Sequence, residues 1–160
     1  MTKLSILALV AVLVLLMRPS NVQGMSCTAQ EFTISGTVLC QDCTKDWNTF
    51  AFGALPIEGA KVDIVCPDKG GRPVYHYSDL TDKTGTFRVT VPYNYNGFTL
   101  DPLDAIVRLV SSPTDCNIMT NFNKGKDGVS PTTPTVCHPD IVEFGLGSFY
   151  FTIPQCSIPE

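Results

Sequence analysis

Apolar residues recur at every second position in five short runs, and that period constrains the fold more than any other feature of the chain. In EFTISGTVLC, Phe32, Ile34, Val38 and Cys40 share a face opposite Thr33, Ser35 and Thr37. Val62, Ile64 and Cys66 alternate in AKVDIVC, Phe87, Val89 and Val91 in TFRVTV, Ala105, Val107 and Leu109 in AIVRLVSS, and Phe149, Phe151 and Ile153 in SFYFTIP. A period of two places successive side chains on opposite faces of a strand. Turn formers stand between the runs: PDKGGRP at 67–73, DKTG at 82–85 and GKDG at 125–128. No stretch sustains a helical repeat, although Thr44 to Phe52 has room for a single turn. The expectation is an all-β fold, a sandwich or barrel with long loops, of which 117–139 is the longest and most polar.

The N-terminus sets the compartment. Lys3 precedes fourteen uncharged, mostly apolar residues, Leu4 to Met17, and then the polar run RPSNVQG. This is the anatomy of a secretory signal peptide, and it is shorter than the roughly 20 apolar residues that cross a bilayer. Cleavage is expected after Gly24, with Ala29 as the alternative, so 1–24 reads as signal and 25–160 as one domain. No hydrophobic tail follows at CSIPE, so neither membrane anchoring nor retention is expected. Removing Lys3 and Arg18 leaves 9 basic and 15 acidic side chains, a net charge of −6. An acidic surface argues against nucleic acid and anionic lipid, both of which are bound through Lys and Arg. It also disfavours a strongly polyanionic sugar. No Asn-x-Ser/Thr sequon occurs, whereas SPTTPTVCHP offers Pro131 and Pro134 for hydroxylation and O-glycosylation.

The chain carries seven cysteines: Cys27, Cys40, Cys43, Cys66, Cys116, Cys137 and Cys156. In an exported chain their default reading is a disulfide framework. The close pair Cys40 and Cys43 has the spacing of a redox couple, half a metal site or two halves of different disulfides. Zinc would need a second close pair, and only His76 and His138 are available. A redox pair normally opens a helix, yet the following residues carry Gly53 and no helical period. Catalytic readings also fail. Cys137 and His138 are sequence neighbours and point apart on an extended chain, and GLGSF lacks the nucleophile elbow. No catalytic residue, metal or cofactor is expected.

The ordered segments ISGTVLCQDC, DWNTFAFGALPIEGAKVDIVC, SDLTDKTGTFRVTV, DPLDAIVRLVSSPTDCNIMTNFNKG and FGLGSFYFTIPQC resemble the pollen allergen and extensin domain family of plants. They are most similar to its branch of cysteine-containing domains found at the end of arabinogalactan and proline-rich wall proteins. The resemblance covers Phe32 to Cys156 and implies a six- or seven-stranded antiparallel β barrel or sandwich stapled by disulfides. The family pairs its first cysteine with the fifth, second with sixth and third with fourth. Carried over, this implies Cys40 with Cys116 and Cys43 with Cys156. The fourth family cysteine would fall just before VRLVSSP, where this chain has Ala105 and Ile106. Cys66 therefore lacks its usual partner, and Cys137 is the expected substitute, leaving Cys27 as the odd thiol or lost with the later signal cleavage.

The resemblance implies a secreted, non-enzymatic cell-wall module whose partner is a wall polysaccharide, such as pectic galactan, or an arabinogalactan glycan. Two other roles follow from family members: a ligand of a receptor kinase ectodomain in growth signalling, and an inhibitor of a wall hydrolase or protease. Few residues separate the signal from the first strand, so the proline- or histidine-rich arm of such wall proteins is not expected. Sugars bind flat aromatic faces flanked by hydrogen-bonding groups. The candidates are Trp47, then Tyr75, His76 and Tyr77 on one strand, and Tyr93 and Tyr95 in PYNYNG.

Overall fold

A computed structural model describes residues 29–42, 44 and 53–156. The expected signal peptide over 1–24, Cys27, Cys43, Trp47 and nearly all of the turn expected over 44–52 lie outside the described residues. The chain forms strands β1 (Glu31–Gln41), β2 (Leu55–Pro56), β3 (Lys61–Pro67), β4 (Pro73–Leu80), β5 (Thr86–Pro92), β6 (Asn94–Tyr95) and β7 (Phe98–Thr99). These are followed by β8 (Ile106–Ser111), β9 (Ile118–Met119), β10 (Val136–His138) and β11 (Ile141–Thr152). Two 3-10 turns, Pro102–Asp104 and Phe122–Lys124, are set between them. Among the described residues six strands have six or more residues, against the six or seven that the family resemblance implies.

The long strand β1 organises the larger sheet. It pairs with β11 on one side, and on the other with β5 along its first half and β2 near its end. β10 and β9 continue the sheet beyond β11. The second sheet has the order β4-β3-β8, and β6 and β7 make a separate ribbon. Phe32, Ile34, Val38, Phe87, Val89, Val91, Phe149 and Phe151 from the first sheet are buried with Val62, Ile64, Cys66, Val107 and Leu109 from the second in one apolar cluster. Each of the five alternating runs thus turns its apolar set into the core. The sheets stay separate, so the fold is a sandwich and no closed barrel forms among the described residues.

The pairing is antiparallel with one exception: β1 and β11 run parallel. Antiparallel neighbours can be joined by a tight turn, whereas a parallel pair needs a long crossover, here everything between residues 41 and 141. The register slips between Ser35 and Thr37, because Ser35 faces Gly145 while Thr37 faces Ser148. The extra residue on β11 is a bulge, and it reverses which parity points inward. Val142 and Phe144 are buried before it, Phe149 and Phe151 after it.

The segment 117–139 is not the long polar loop its composition predicts. Val129 bridges Val107 with hydrogen bonds of 2.9 Å in both directions, and the Leu109 N–H donates to the Gly125 carbonyl at 2.8 Å. The segment covers the free edge of β8, satisfying backbone groups that would otherwise face water. At the 82–85 turn the Asp82 carboxylate accepts from the Thr84 hydroxyl (2.6 Å) and from the Thr84 and Thr86 N–H groups (2.8 and 3.0 Å). Those bonds, the Thr84 hydroxyl first, hold its pKa below the ordinary value. Gly85 has φ +74°, and a Cβ there would lie 2.6 Å from the Val38 carbonyl oxygen. Only glycine lets this turn lie against β1, where the Val38 N–H donates to the Gly85 carbonyl at 2.8 Å.

Candidate functional site

Among the described residues β4 pairs with β3 alone and is an edge strand. Tyr75 stands opposite Cys66 and Tyr77 opposite Ile64, so both belong to the core-facing side of the sheet. At the edge they are only partly covered, and Tyr77 is 49% exposed. The ribbon β6–β7 comes against them. Its tip, Asn96–Gly97, has positive φ at both residues (49° and 84°), the requirement of a two-residue hairpin turn. That turn carries Tyr95 onto Tyr75, ring centroids 5.1 Å apart and planes at 85°. Burial raises the Tyr75 phenol pKa, with smaller contributions from Cys66, Tyr77 and Tyr95.

Three of the five aromatics expected at the site, Tyr75, Tyr77 and Tyr95, are therefore gathered at one edge. Tyr93 is not among them. The chain bends after β5, and the Tyr93 ring packs on Phe32 at 5.0 Å, serving the core. Burial raises its phenol pKa, and Asp101 adds to the effect. Trp47 lies outside the described residues. His76, one residue from each tyrosine, projects to the outer face, opposite Val65. Phe98 joins the aromatic group unforeseen: it is the cross-strand partner of Tyr95 and 39% exposed, against 38% for Tyr95. The Asn-Gly turn between two aromatic-bearing dipeptides is the signal that would have found it.

One pair of the expected scheme is present and another is not. Cys40 is bonded to Cys116, with a Cα–Cα distance of 5.9 Å. Cys137 and Cys156 are both disulfide-bonded; Cys43, the expected partner of Cys156, lies outside the described residues. The expected pairing of Cys66 with Cys137 is absent, and Cys66 is a free, buried thiol. Its side chain enters the core from β3, whereas Cys137 sits on β10 of the other sheet. Cys66 and Ala105 stand one step beyond the last registered pair of β3 and β8, Val65 with Ile106. The absent fourth family cysteine would thus have been its neighbour, and buried Ala105 supplies no sulfur.

Burial pushes the Cys66 thiol up to about 11, which leaves almost no thiolate, the reactive form, at neutral pH. We expect Cys66 to resist maleimide in the native protein at neutral pH and to be alkylated after unfolding in guanidinium, as read by peptide mass mapping. Rapid native labelling would contradict the burial.

No family model matches the chain. It is 32% identical over 134 residues to proline-rich protein 1 of Arabidopsis thaliana, a match taking in 79% of this chain and 35% of that protein. It is also 32% identical over 131 residues to a pistil-specific extensin-like protein of Nicotiana tabacum, covering 74% of this chain and 29% of the other. An Olee1-like protein of Betula pendula is 28% identical over 95 residues, 59% of this chain and 54% of its own length. The chain spans about a third of the length of the first two relatives. Among solved structures, the major plantain pollen allergen Pla l 1 superposes with a TM-score of 0.56 at 20% identity, covering 79% of this chain and 97% of the allergen. At that identity the likeness is one of fold.

Proposed function

Because the chain belongs to the Ole e 1-like pollen allergen and extensin family of plants, we propose that it is a secreted, non-enzymatic module of the plant cell wall that binds neutral wall glycans. The observation that carries the reading is the group of partly exposed aromatics, Tyr77, Tyr95 and Phe98, assembled around Tyr75 at the β4 edge. Sugar rings present C–H faces that pack on such rings, while their hydroxyls need nearby polar groups. The phenolic hydroxyls of Tyr77 and Tyr95, both partly exposed, are such groups. The Tyr75–Tyr95 contact holds one platform in place before any ligand arrives, which reduces the ordering cost of binding. An excess of acidic side chains favours uncharged galactan or arabinogalactan chains over polyuronates.

Secretion to the wall is supported by the apolar N-terminal segment and by disulfides, which persist in oxidising compartments. A non-enzymatic role is supported by the relatives' names, which are those of proline-rich, extensin-like and allergen-like proteins.

The test is a panel of pectic galactan, arabinan and arabinogalactan oligosaccharides titrated into the protein. Binding of at least one is expected, weakened about tenfold or more in Tyr77→Ala, Tyr95→Ala, a loss of roughly 1.4 kcal/mol. An unchanged melting temperature shows that both side chains act at the surface. Silence across the panel, with retention on a receptor ectodomain, would replace this reading with the signalling one.

A further inference from the structure

On the outer face of the three-stranded sheet, away from the aromatic edge, Asp63, Val65, Pro73, His76, Ile106 and Arg108 line a groove of about 560 Å³. The volume lies within the range of small-molecule sites. Strand register arranges the groove in two cross-strand rows. Ser78, Asp63 and Arg108 stand level across β4, β3 and β8, and His76, Val65 and Ile106 form the next row. Asp63 is buried although charged, and its oxygens are engaged. The Ser78 hydroxyl donates to Oδ1 at 2.6 Å and His76 Nε2 approaches Oδ2 at 3.2 Å. Burial alone would raise its pKa; the Ser78 and His76 hydrogen bonds, with the charges of His76 and Lys61, outweigh burial and keep it low.

Arg108 is bound differently. Its Nη2 is 3.9 Å from Asp63 Oδ2, beyond hydrogen-bond length, and the side chain is half exposed. The carboxylate holds the guanidinium near the groove without using its fork of donors. With Nε2 engaged by Asp63, the Nδ1 of His76 is the ring nitrogen left for a ligand hydroxyl, which can both donate and accept. The floor is apolar: Val65, Ile106 and Pro73.

We propose that this groove binds a uronic acid residue carried on an otherwise neutral glycan. Arg108 takes the carboxylate through its planar fork. The His76 Nδ1 hydrogen-bonds a ring hydroxyl, and the Val65–Ile106 floor lies under the C–H face of the sugar. β3, at the centre of the groove, is paired on both sides, so its part of the site offers side chains alone, and a sugar acid presents the carboxylate, hydroxyls and C–H face that Arg108, His76 and the apolar floor can take. A single carboxylate also meets the acidic surface of the chain with less repulsion than a polyuronate does. The inference goes beyond the neutral-glycan reading and uses a different face of β4.

The experiment is calorimetric or chemical-shift titration of the refolded protein with methyl galacturonide and with its methyl ester, at low salt. The acid is expected to bind saturably and at least about tenfold tighter than the ester, and Arg108→Gln to abolish that difference. Arg108→Lys, which keeps the charge and loses the fork, gives a partial loss and serves if the Gln variant does not fold. Tyr77→Ala leaves the acid titration unchanged, so failure of the aromatic-edge reading is read separately. Equal binding of acid and ester, no saturable binding, indifference to Arg108, loss in Tyr77→Ala or tighter binding of hexaglutamate would each overturn the proposal.

Discussion

Replacing Cys40 and Cys116 together by alanine is expected to lower stability by about 4–5 kcal/mol, read from denaturant unfolding with the slope fitted separately for each protein, since the uncrosslinked chain expands further on unfolding. The bridge spans 76 residues, and removing a cross-link of that length returns roughly 4.5 kcal/mol of chain entropy to the unfolded state. It also ties the end of β1 to the segment after β8, joining the two sheets. The loss is a large share of the 5–15 kcal/mol that typical domains possess. A measured loss under about 1 kcal/mol would mean that the unfolded chain holds these segments together without the bond.

Phe149→Ala is expected to cost about 3–5 kcal/mol, toward the upper end. The ring is fully buried, faces Phe87 at a centroid distance of 6.1 Å and stands on β11 opposite Val38. Its neighbourhood explains why the gap would stay open. A Cβ on Gly125 would come within 3.2 Å of the Phe149 ring, and one on Gly36 within 2.8 Å of Phe87. The two rings occupy space that glycine leaves, so these neighbours have no side chain to swing into the hole. Phe149→Leu, measured by the same denaturation, should fall between wild type and alanine. A loss below about 1 kcal/mol would show that the core collapses around the missing ring.

The strands legible in the sequence are those whose two faces meet different surroundings. β1, β3, β5 and β8 bury an apolar face and carry more polar residues on the other, so Phe32, Val62, Phe87 and Val107 mark their parity. β11 was readable only from Ser148 onward, because the bulge around Gly147 breaks the alternation with Val142 and Phe144. β2, β6, β7 and β9 have two residues each, too few to show a period. At the candidate site, Tyr75, His76 and Tyr77 were legible as one strand, and their division between faces followed from period two. That Tyr93 would turn to Phe32 while Tyr95 met Tyr75 depends on a bend after Pro92. The state of Cys66 required the register of β3 against β8.

The parallel pairing of β1 with β11 has a kinetic side. Thr37 and Ser148, whose hydroxyls lie 2.8 Å apart, are separated by 111 residues. The strand at the centre of the larger sheet leaves the ribosome early and waits for one made more than a hundred residues later. Until then β1 has β5 and β2 for company and an open edge on the other side, the kind of surface that pairs with the wrong partner. Contacts so distant along the chain make assembly slow. The vulnerable interval for this protein is therefore its synthesis, and its last long strand is what closes that interval.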